Sequence, residues 1–280
     1  DLLNETHARG RHQYLIAREV VEADVVINLP KLKTHKKAGV TGAIKNLVGI
    51  NGNKEYLPHH RKGGSGDGGD CYPGSSWLKR RAEDLLDLAN RRGPGMVASA
   101  LARTAELLAR AASWSGAEAD LEGAWYGNDT VWRTCLDLQR ILRYGLSDGT
   151  LAAEPVRRVI TVTDAIIAGE GEGPLANSPA PCGVVTGGLS PSAAEWVHAL
   201  LMGFDPRRVP LIRESFGKYP FALVTFPPED IRVRTIAGES GTEHLRPILG
   251  RPFQPPAGWR GHCELVQNED AFPTEQTVLA

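Results

Sequence analysis

The chain has 280 residues, 41% of them hydrophobic and 23% charged, which is typical of a globular protein with a substantial core. Its 32 basic and 33 acidic side chains nearly cancel, so the net charge provides no attraction to nucleic acid or to a membrane surface. No apolar run approaches the roughly 18 residues that span a bilayer. Four scattered cysteines without a C-x-x-C pair disfavour a zinc ribbon or an iron–sulfur loop, and they predict free thiols in a reducing, cytoplasmic compartment.

The first quarter of the chain alternates between helical and extended patterns. Helical spacing over residues 13–22 leads into a β-branched run at 23–29, which predicts a buried strand. A short helix is predicted from 40 to 48. Residues 63–74 are too rich in glycine to form a regular element.

Three helical stretches follow the glycine-rich loop. Pro94 and Gly95 separate the first from the second, and the second carries apolar residues on one face. We interpret the whole region of about 77–145 as a helical insertion. The predicted helices are 77–92, 96–113 and 130–145.

Alternating strands and helices resume after the insertion. The pattern predicts an α/β fold, with a mixed and partly parallel sheet flanked by helices. We interpret residues 1–280 as a single α/β domain with the helical insertion. The predicted strands are 158–163, ending at Asp164, then 182–186, 221–226 and 231–235, with a helix at 192–202.

One segment contains most of the candidate chemistry. Between Lys31 and Lys62 there are eight lysine or arginine residues and one acid, Glu55. The cluster starts where a predicted strand ends, which is where open α/β sheets usually bind their ligands. Glycines interleave with the cations, so backbone N–H groups could approach an anion closely. This pattern predicts a carboxylate or phosphate site, although a solvated basic surface would leave the same pattern.

Within this segment we predict that cationic and amide side chains bind a small anionic molecule. Lysines would act as point charges, and a helix beginning near Thr41 would direct its N-terminus towards the anion. Neighbouring lysines would lower the pKa of His35 and leave its imidazole neutral, suited to proton transfer. The predicted ligand-binding residues are Lys31, Lys33, Thr41, Lys45, Asn46, Lys54 and Arg61.

Asp164 is the candidate proton-transfer partner of His35. It ends a predicted strand and precedes the acidic, glycine-rich segment 170–173, which could face the basic segment across the sheet edge. Simple ion pairing of Asp164 with a lysine is the alternative interpretation. No nucleophile elbow, P-loop or dinucleotide-binding fingerprint is found.

A divalent metal is the candidate cofactor. His59, His60 and Asp70, with Cys71 next to Asp70, supply ligand types that bind metals. Their spacing matches no known metal motif, and adjacent histidines in an extended segment point in opposite directions.

Several blocks of the sequence resemble the family named domain of unknown function 362. The basic signature runs from Asn28 to Gly49 and reads NLPKLKTHKKAGVTGAIKNLVG, and NKEYLPHHR at 53–61 resembles one subgroup. TDAI at 163–166 with EGEGP at 170–174 resembles the second block. MGFDP at 202–206 resembles the third.

The resemblance implies an α/β fold more firmly than an activity. Family members usually have further chain before this point, so an N-terminal part is expected to be missing. Some members carry an iron–sulfur module, but its cysteines are absent here. Family acids are replaced by Ser190 and Cys71, and Glu195 stands where an aspartate is usual. Besides an enzyme acting on an anionic small molecule, a redox protein with an iron–sulfur partner and a non-catalytic binding module stay open.

Overall fold

In the computed structural model, which describes residues 2–8, 10–113 and 121–265, the chain begins with short elements. Of the helix predicted at 13–22, only the second half, Arg18–Glu22, is helical. Ile16 instead forms an antiparallel bridge with Asn51, so the first half of that stretch is extended. The opening elements are α1 (Leu2–Thr6), β1 (His7–Ala8), β2 (Arg11–His12) and α2 (Arg18–Glu22).

A mixed sheet forms the centre of the fold, as the sequence predicts. Its longest strand, β6, runs parallel to β3 and β4 along one edge and antiparallel to β7 along the other. β5 pairs antiparallel with β4 and completes the sheet. The strands are β3 (Val25–Asn28), β4 (Lys31–His35), β5 (Gly39–Thr41), β6 (Arg158–Glu172) and β7 (Ala176–Gly188).

β6 does not end at Asp164 but continues to Glu172, so most of the acidic segment 170–173 lies within the strand. The apolar residues Ile166 and Ile167 continue the strand, and β7 pairs with it as far as Glu172. A shift of register between Ala165 and Ile167 absorbs the irregularity. Pairing along a long partner therefore extends the strand beyond the stretch that its β-branched residues predict.

The helix predicted at 40–48 is also wrong. Gly39 takes a positive φ of 78°, which turns the chain so that β5 can pair with β4. After β5 the chain forms only a 3-10 helix, Lys45–Ile50. No α-helix N-terminus faces an anion at Thr41, because Thr41 is the last residue of a strand.

The three predicted insertion helices are confirmed, but they divide into two groups. α3 and α4 pack on each other through a small core of Ala82, Ala105 and Ala109. α5 instead contributes Cys135 and Leu138 to the two main hydrophobic clusters. α3–α4 is therefore a peripheral hairpin, while α5 covers the sheet. The helices are α3 (Trp77–Arg92), α4 (Met96–Ser113) and α5 (Val131–Tyr144).

The last part of the described chain adds helices and a hairpin. The helix predicted at 192–202 and the strand predicted at 231–235 are confirmed. The strand predicted at 221–226 is wrong, since prolines at 220 and 227 flank a run of bends and irregular backbone. The elements are α6 (Pro191–Leu201), α7 (Pro210–Arg213), β8 (Arg232–Thr235) and β9 (Gly238–Gly241).

Candidate functional site

β4 carries the basic motif from the surface into the interior. Lys31, its first residue, lies opposite Asp164 on β6 and is exposed. Lys33 is partly buried between Gly169 of β6 and Thr41 of β5. His35, the last residue, is only 6% exposed. The two ends of one strand therefore place basic groups in very different surroundings.

At the outer end, Lys31 and Asp164 form an exposed ion pair with 2.7 Å between Nζ and Oδ2. The other carboxylate oxygen accepts the backbone N–H of Ile166 at 2.9 Å. The hydrogen bond from Lys31 lowers the pKa of Asp164. Because Asp164 is level with the start of β4 and His35 ends it, the two are about 13 Å apart along the strand. A proton passing between them would need a bound molecule as a bridge.

At the inner end, two backbone N–H groups determine the state of the His35 ring. Nδ1 accepts from Lys37 at 3.0 Å and from Ala38 at 3.3 Å, so the neutral ring carries its proton on Nε2. Burial, followed by the charges of Lys45 and Lys37, lowers the pKa of His35 to about 3. His35 is thus a neutral hydrogen-bond donor at physiological pH. The lysine-rich motif predicts the same direction of the pKa shift.

Lys45 and His59 lie beside His35. The Lys45 side chain is half-buried, and no described residue gives its ammonium a hydrogen-bond or ion-pair partner. His59 directs Nδ1 to the carbonyl of Leu57 at 2.8 Å, so Nδ1 donates and Nε2 keeps its lone pair. Burial is the main cause that lowers the pKa of His59. Lys45 and His59 together line a small crevice of about 10 Å³ against α5.

The three predicted metal ligands have other partners. His60 Nδ1 lies 3.3 Å from the ammonium of Lys37 and accepts from it. Asp70 is 1% exposed, and its oxygens accept from the Arg61 N–H at 2.5 Å, the Asp129 N–H at 2.9 Å and the Thr130 hydroxyl at 2.6 Å. Within the described ranges, no group of three or more His, Cys, Asp or Glu side chains could hold a metal ion.

The remaining predicted ligand-binding residues are distributed around the cluster. Lys33 donates to the carbonyl of Pro174 at 3.3 Å. Thr41 is buried, and its hydroxyl has no hydrogen-bond partner in the part of the chain that the structure describes. Asn46 donates to the side chain of Asn28 at 2.8 Å, which fixes the start of the 3-10 helix on β3.

Lys54 and Arg61 lie outside the cluster. Lys54 is exposed on a 3-10 helix, Lys54–Tyr56, and no described hydrogen bond or ion pair joins it to the basic cluster. Arg61 holds the glycine-rich loop, because its guanidinium contacts the carbonyl of Gly68 and pairs with Asp129 at 3.3 Å. Both are therefore structural or solvated cations in this structure rather than members of the site.

A buried polar group behind the site has no signal in the local sequence. Glu195 and His198 of α6 are both fully buried. Glu195 Oε2 accepts the Ile44 N–H at 2.5 Å, which ties α6 to the turn before Lys45. A Cβ at Gly42 would collide with Glu195 and come within 2.9 Å of His198 Nδ1. The family position that Glu195 occupies, where an aspartate is usual, is the one feature that could have indicated its role.

The arrangement combines a free ammonium with a neutral donor and a neutral acceptor. The charges that act most strongly on His35 all belong to basic side chains, namely Lys45, Lys37, His59 and Lys33. A negatively charged group placed there would gain from Lys45 and from the N–H of His35. His59 Nε2 could accept a proton from the same molecule.

The chain belongs to the family domain of unknown function (DUF362), whose model matches residues 4–199. That range includes β3 to β7, the basic cluster and nearly all of α6. The family description assigns no activity. The match therefore identifies the class of protein, and any activity has to be inferred from the residues of the site.

A curated relative gives a more particular comparison. The thylakoid-associated protein sll1697 of Synechocystis sp. is 24% identical to this chain over 239 residues. The match covers 83% of this chain and 50% of the relative, so the chain spans about half the length of that protein. No solved structure matches the chain significantly. In the part of the chain that the structure describes, no helix is long and apolar enough to cross a membrane.

Proposed function

We propose that this protein binds a small anionic molecule, a carboxylate or a phosphate, at the cluster of Lys45, His35 and His59. Lys45 would supply the charge and His35 an N–H donor. Lys33 and Lys37 would add positive potential without direct contact. The cluster supports an enzyme in which His59 accepts a proton from the bound molecule.

The observation that carries the proposal is the state of His35. A neutral imidazole is fixed as an Nε2–H donor by two backbone N–H groups, and the charged groups that act most strongly on it are all basic. Leaving a half-buried ammonium such as Lys45 without a counter-charge is unfavourable, and a bound anion would relieve this.

A non-catalytic binding module is the second candidate. It is favoured by the size of the crevice, since about 10 Å³ holds no more than a water molecule. A ligand would therefore lie over the mouth of the crevice, open to solvent, rather than inside an enclosed active site. Most enzymes that transfer protons exclude water from the reacting atoms.

The test is anion binding by titration calorimetry, with inorganic phosphate and a dicarboxylate such as succinate as probes. We expect the Lys45→Met variant to bind at least about tenfold more weakly than the unmodified protein, because it loses the unpaired charge. Lys54→Met is the matched control, since Lys54 is an exposed lysine of the same segment and no described hydrogen bond or ion pair joins it to the cluster. Its affinity should be unchanged.

Two results would contradict the proposal. Equal weakening by Lys45→Met and Lys54→Met would mean that anions respond only to the general charge of the segment. No binding of either probe by the unmodified protein would leave the cluster without an anion of these classes. Nitrogen NMR of the His35 ring, with and without the probe, reports whether Nε2–H is the donor used.

All four cysteines are free. We propose a reducing, cytoplasmic compartment on this ground.

A further inference from the structure

A large cavity of the described structure lies away from the basic cluster, beside the C-terminal half of β7. It is an open groove of about 1760 Å³ between β7, α6 and the segment that contains β8. Sites for single small molecules usually enclose about 300–1000 Å³. The groove is larger than that range, and one of its walls is the edge of a strand.

That edge is unpaired in the described part of the chain. β7 pairs with β6 along one side, and no described strand pairs with its other side. The first half of β7 contains Pro179 and Pro181, which protect an edge because proline cannot donate to a new strand. The second half, Cys182–Gly188, has no proline and borders the groove from Val184 onward. An edge of this kind is a template for strand addition.

Among the described residues, the groove also carries more cationic than anionic side chains. Arg143, Arg232, Arg234 and Arg246 line it, with one carboxylate, Asp230. Only Arg234 has a described carboxylate partner, Glu239 at 3.0 Å. The guanidinium groups at 232 and 246 donate to nearby backbone carbonyls, and Nε of Arg143 is buried without an acceptor among the described residues.

Apolar side chains form the floor between the edge and the arginines. Leu223 is 1% exposed, and Val197 and Ile248 pack against the same hydrophobic cluster. Phe226 is 36% exposed at the rim. An extended segment that alternates apolar and acidic residues would place one set on this floor and the other set towards the arginines, because strand side chains alternate between two faces.

We propose that this groove binds an extended, acidic segment of a partner protein, which adds as a strand to the edge of β7 between Cys182 and Gly188. The partner's backbone would satisfy the free edge, its β-branched side chains would cover the floor, and its Glu or Asp residues would pair with the arginines at 143, 232 and 246. This surface does not depend on the anion site at Lys45.

The probe is a fluorescein-labelled nonapeptide of alternating Val and Glu, followed by fluorescence anisotropy. We expect saturable binding, and at least about tenfold weaker binding by the R232Q/R246Q double variant. R91Q/R92Q is the matched control, since both arginines are exposed at the end of α3, far along the chain from the groove. It should bind the peptide like the unmodified protein.

Two further peptides test the mode of binding. A Lys-for-Glu peptide should not bind, and a peptide with proline at its central position should lose most of its affinity, because proline interrupts the strand. Hydrogen exchange should show new protection of backbone amides within Val184–Gly188 in the presence of the Val–Glu peptide. Equal denaturant midpoints for the two double variants would show that a loss of binding is not a loss of folding.

The proposal is overturned by any of several outcomes. These are no binding of the Val–Glu peptide, equal binding of the Lys peptide, or binding without new amide protection on β7. Complete displacement of the peptide by dodecanoate at lower concentration would assign the groove to a small amphiphilic anion instead of a protein segment.

Discussion

The two ends of β4 carry the same kind of side chain and differ in what surrounds it. At the outer end, Lys31 and Asp164 are each about half exposed and neutralise one another. At the inner end, His35 is buried, and its strongest charged neighbours are all basic. Solvent screens the first pair, whereas burial preserves the field at the second.

The difference teaches that a lysine-rich motif does not by itself define a site. The outer pair is a typical exposed ion pair and contributes little to the stability of the fold. The inner end depends on groups from distant parts of the chain that hold its segments together. Among these are Asp70, which fastens the loop carrying His59, and Glu195, which fastens the turn before Lys45.

The largest effect is expected from removing the support of the inner end at Asp70. Asp70→Ala leaves the Arg61 and Asp129 N–H groups and the Thr130 hydroxyl without their acceptor inside the protein. We expect a loss of about 3 kcal/mol in the free energy of unfolding, measured with urea. Asp164→Ala, the exposed carboxylate of the outer end, should leave the urea midpoint unchanged. Similar urea midpoints for Asp70→Ala and Asp164→Ala would contradict the difference between the two ends of β4.

A smaller effect is expected from crowding the contact between α6 and the turn. Gly42→Ala places a methyl group against Glu195 and His198, which are both fully buried. We expect a loss of about 2 kcal/mol in unfolding free energy, since overpacked cores typically lose about 1–3 kcal/mol. Gly49→Ala is the matched control, because a Cβ there meets nothing within 4 Å. A stable Gly42→Ala protein would show that α6 can move away without cost.

The pH dependence of stability isolates His35. Its pKa is about 3 in the folded protein and near the usual 6.5 when unfolded, so the unfolded chain binds the extra proton first as pH falls. The stabilisation from keeping His35 neutral is complete above pH 6.5 and declines towards pH 3. Between pH 7 and pH 5.5 we expect about 1 kcal/mol of lost stability from this one group.

Urea unfolding at several pH values measures this slope. His35→Gln should remove much of it, while His244→Gln, at an exposed histidine, should retain it. The sign is decisive, because a histidine that gains an anionic partner within the protein would make stability rise on acidification instead. The ring resonances of His35, followed by NMR, should not titrate between pH 5 and pH 8.

The fold and the site differ in how far the sequence predicts them. The helices α3, α4 and α5 follow from apolar periodicity and from the Pro94–Gly95 break, which act within a few residues. The length of β6 does not, because its second half is specified by β7 pairing rather than by its own composition.

For the site, the sequence predicts the cationic composition and the lowered pKa of His35. It does not predict that the Asp70 carboxylate accepts the Arg61 N–H and fixes the loop between them. The other donors to Asp70 lie about sixty residues further on, at Asp129 and Thr130. Nor does the sequence show which of Lys31 and Lys45 forms an ion pair. Both are lysines in the same motif, and only the tertiary surroundings decide which of them keeps a carboxylate partner.

The smallest effect is expected at the outer end itself. Lys31→Met removes the hydrogen bond that lowers the pKa of Asp164, so the Asp164 carboxyl should titrate at a higher pH, as seen by carbon NMR. Since the pKa of Asp164 is lowered only in the folded state, its contribution to stability is complete above the unfolded pKa and is lost as pH falls through the folded pKa. The pair is exposed, so the urea midpoint at neutral pH should not change measurably. A clear loss of stability in Lys31→Met would mean that the outer end is not screened by solvent, and the contrast between the two ends of β4 would then fail.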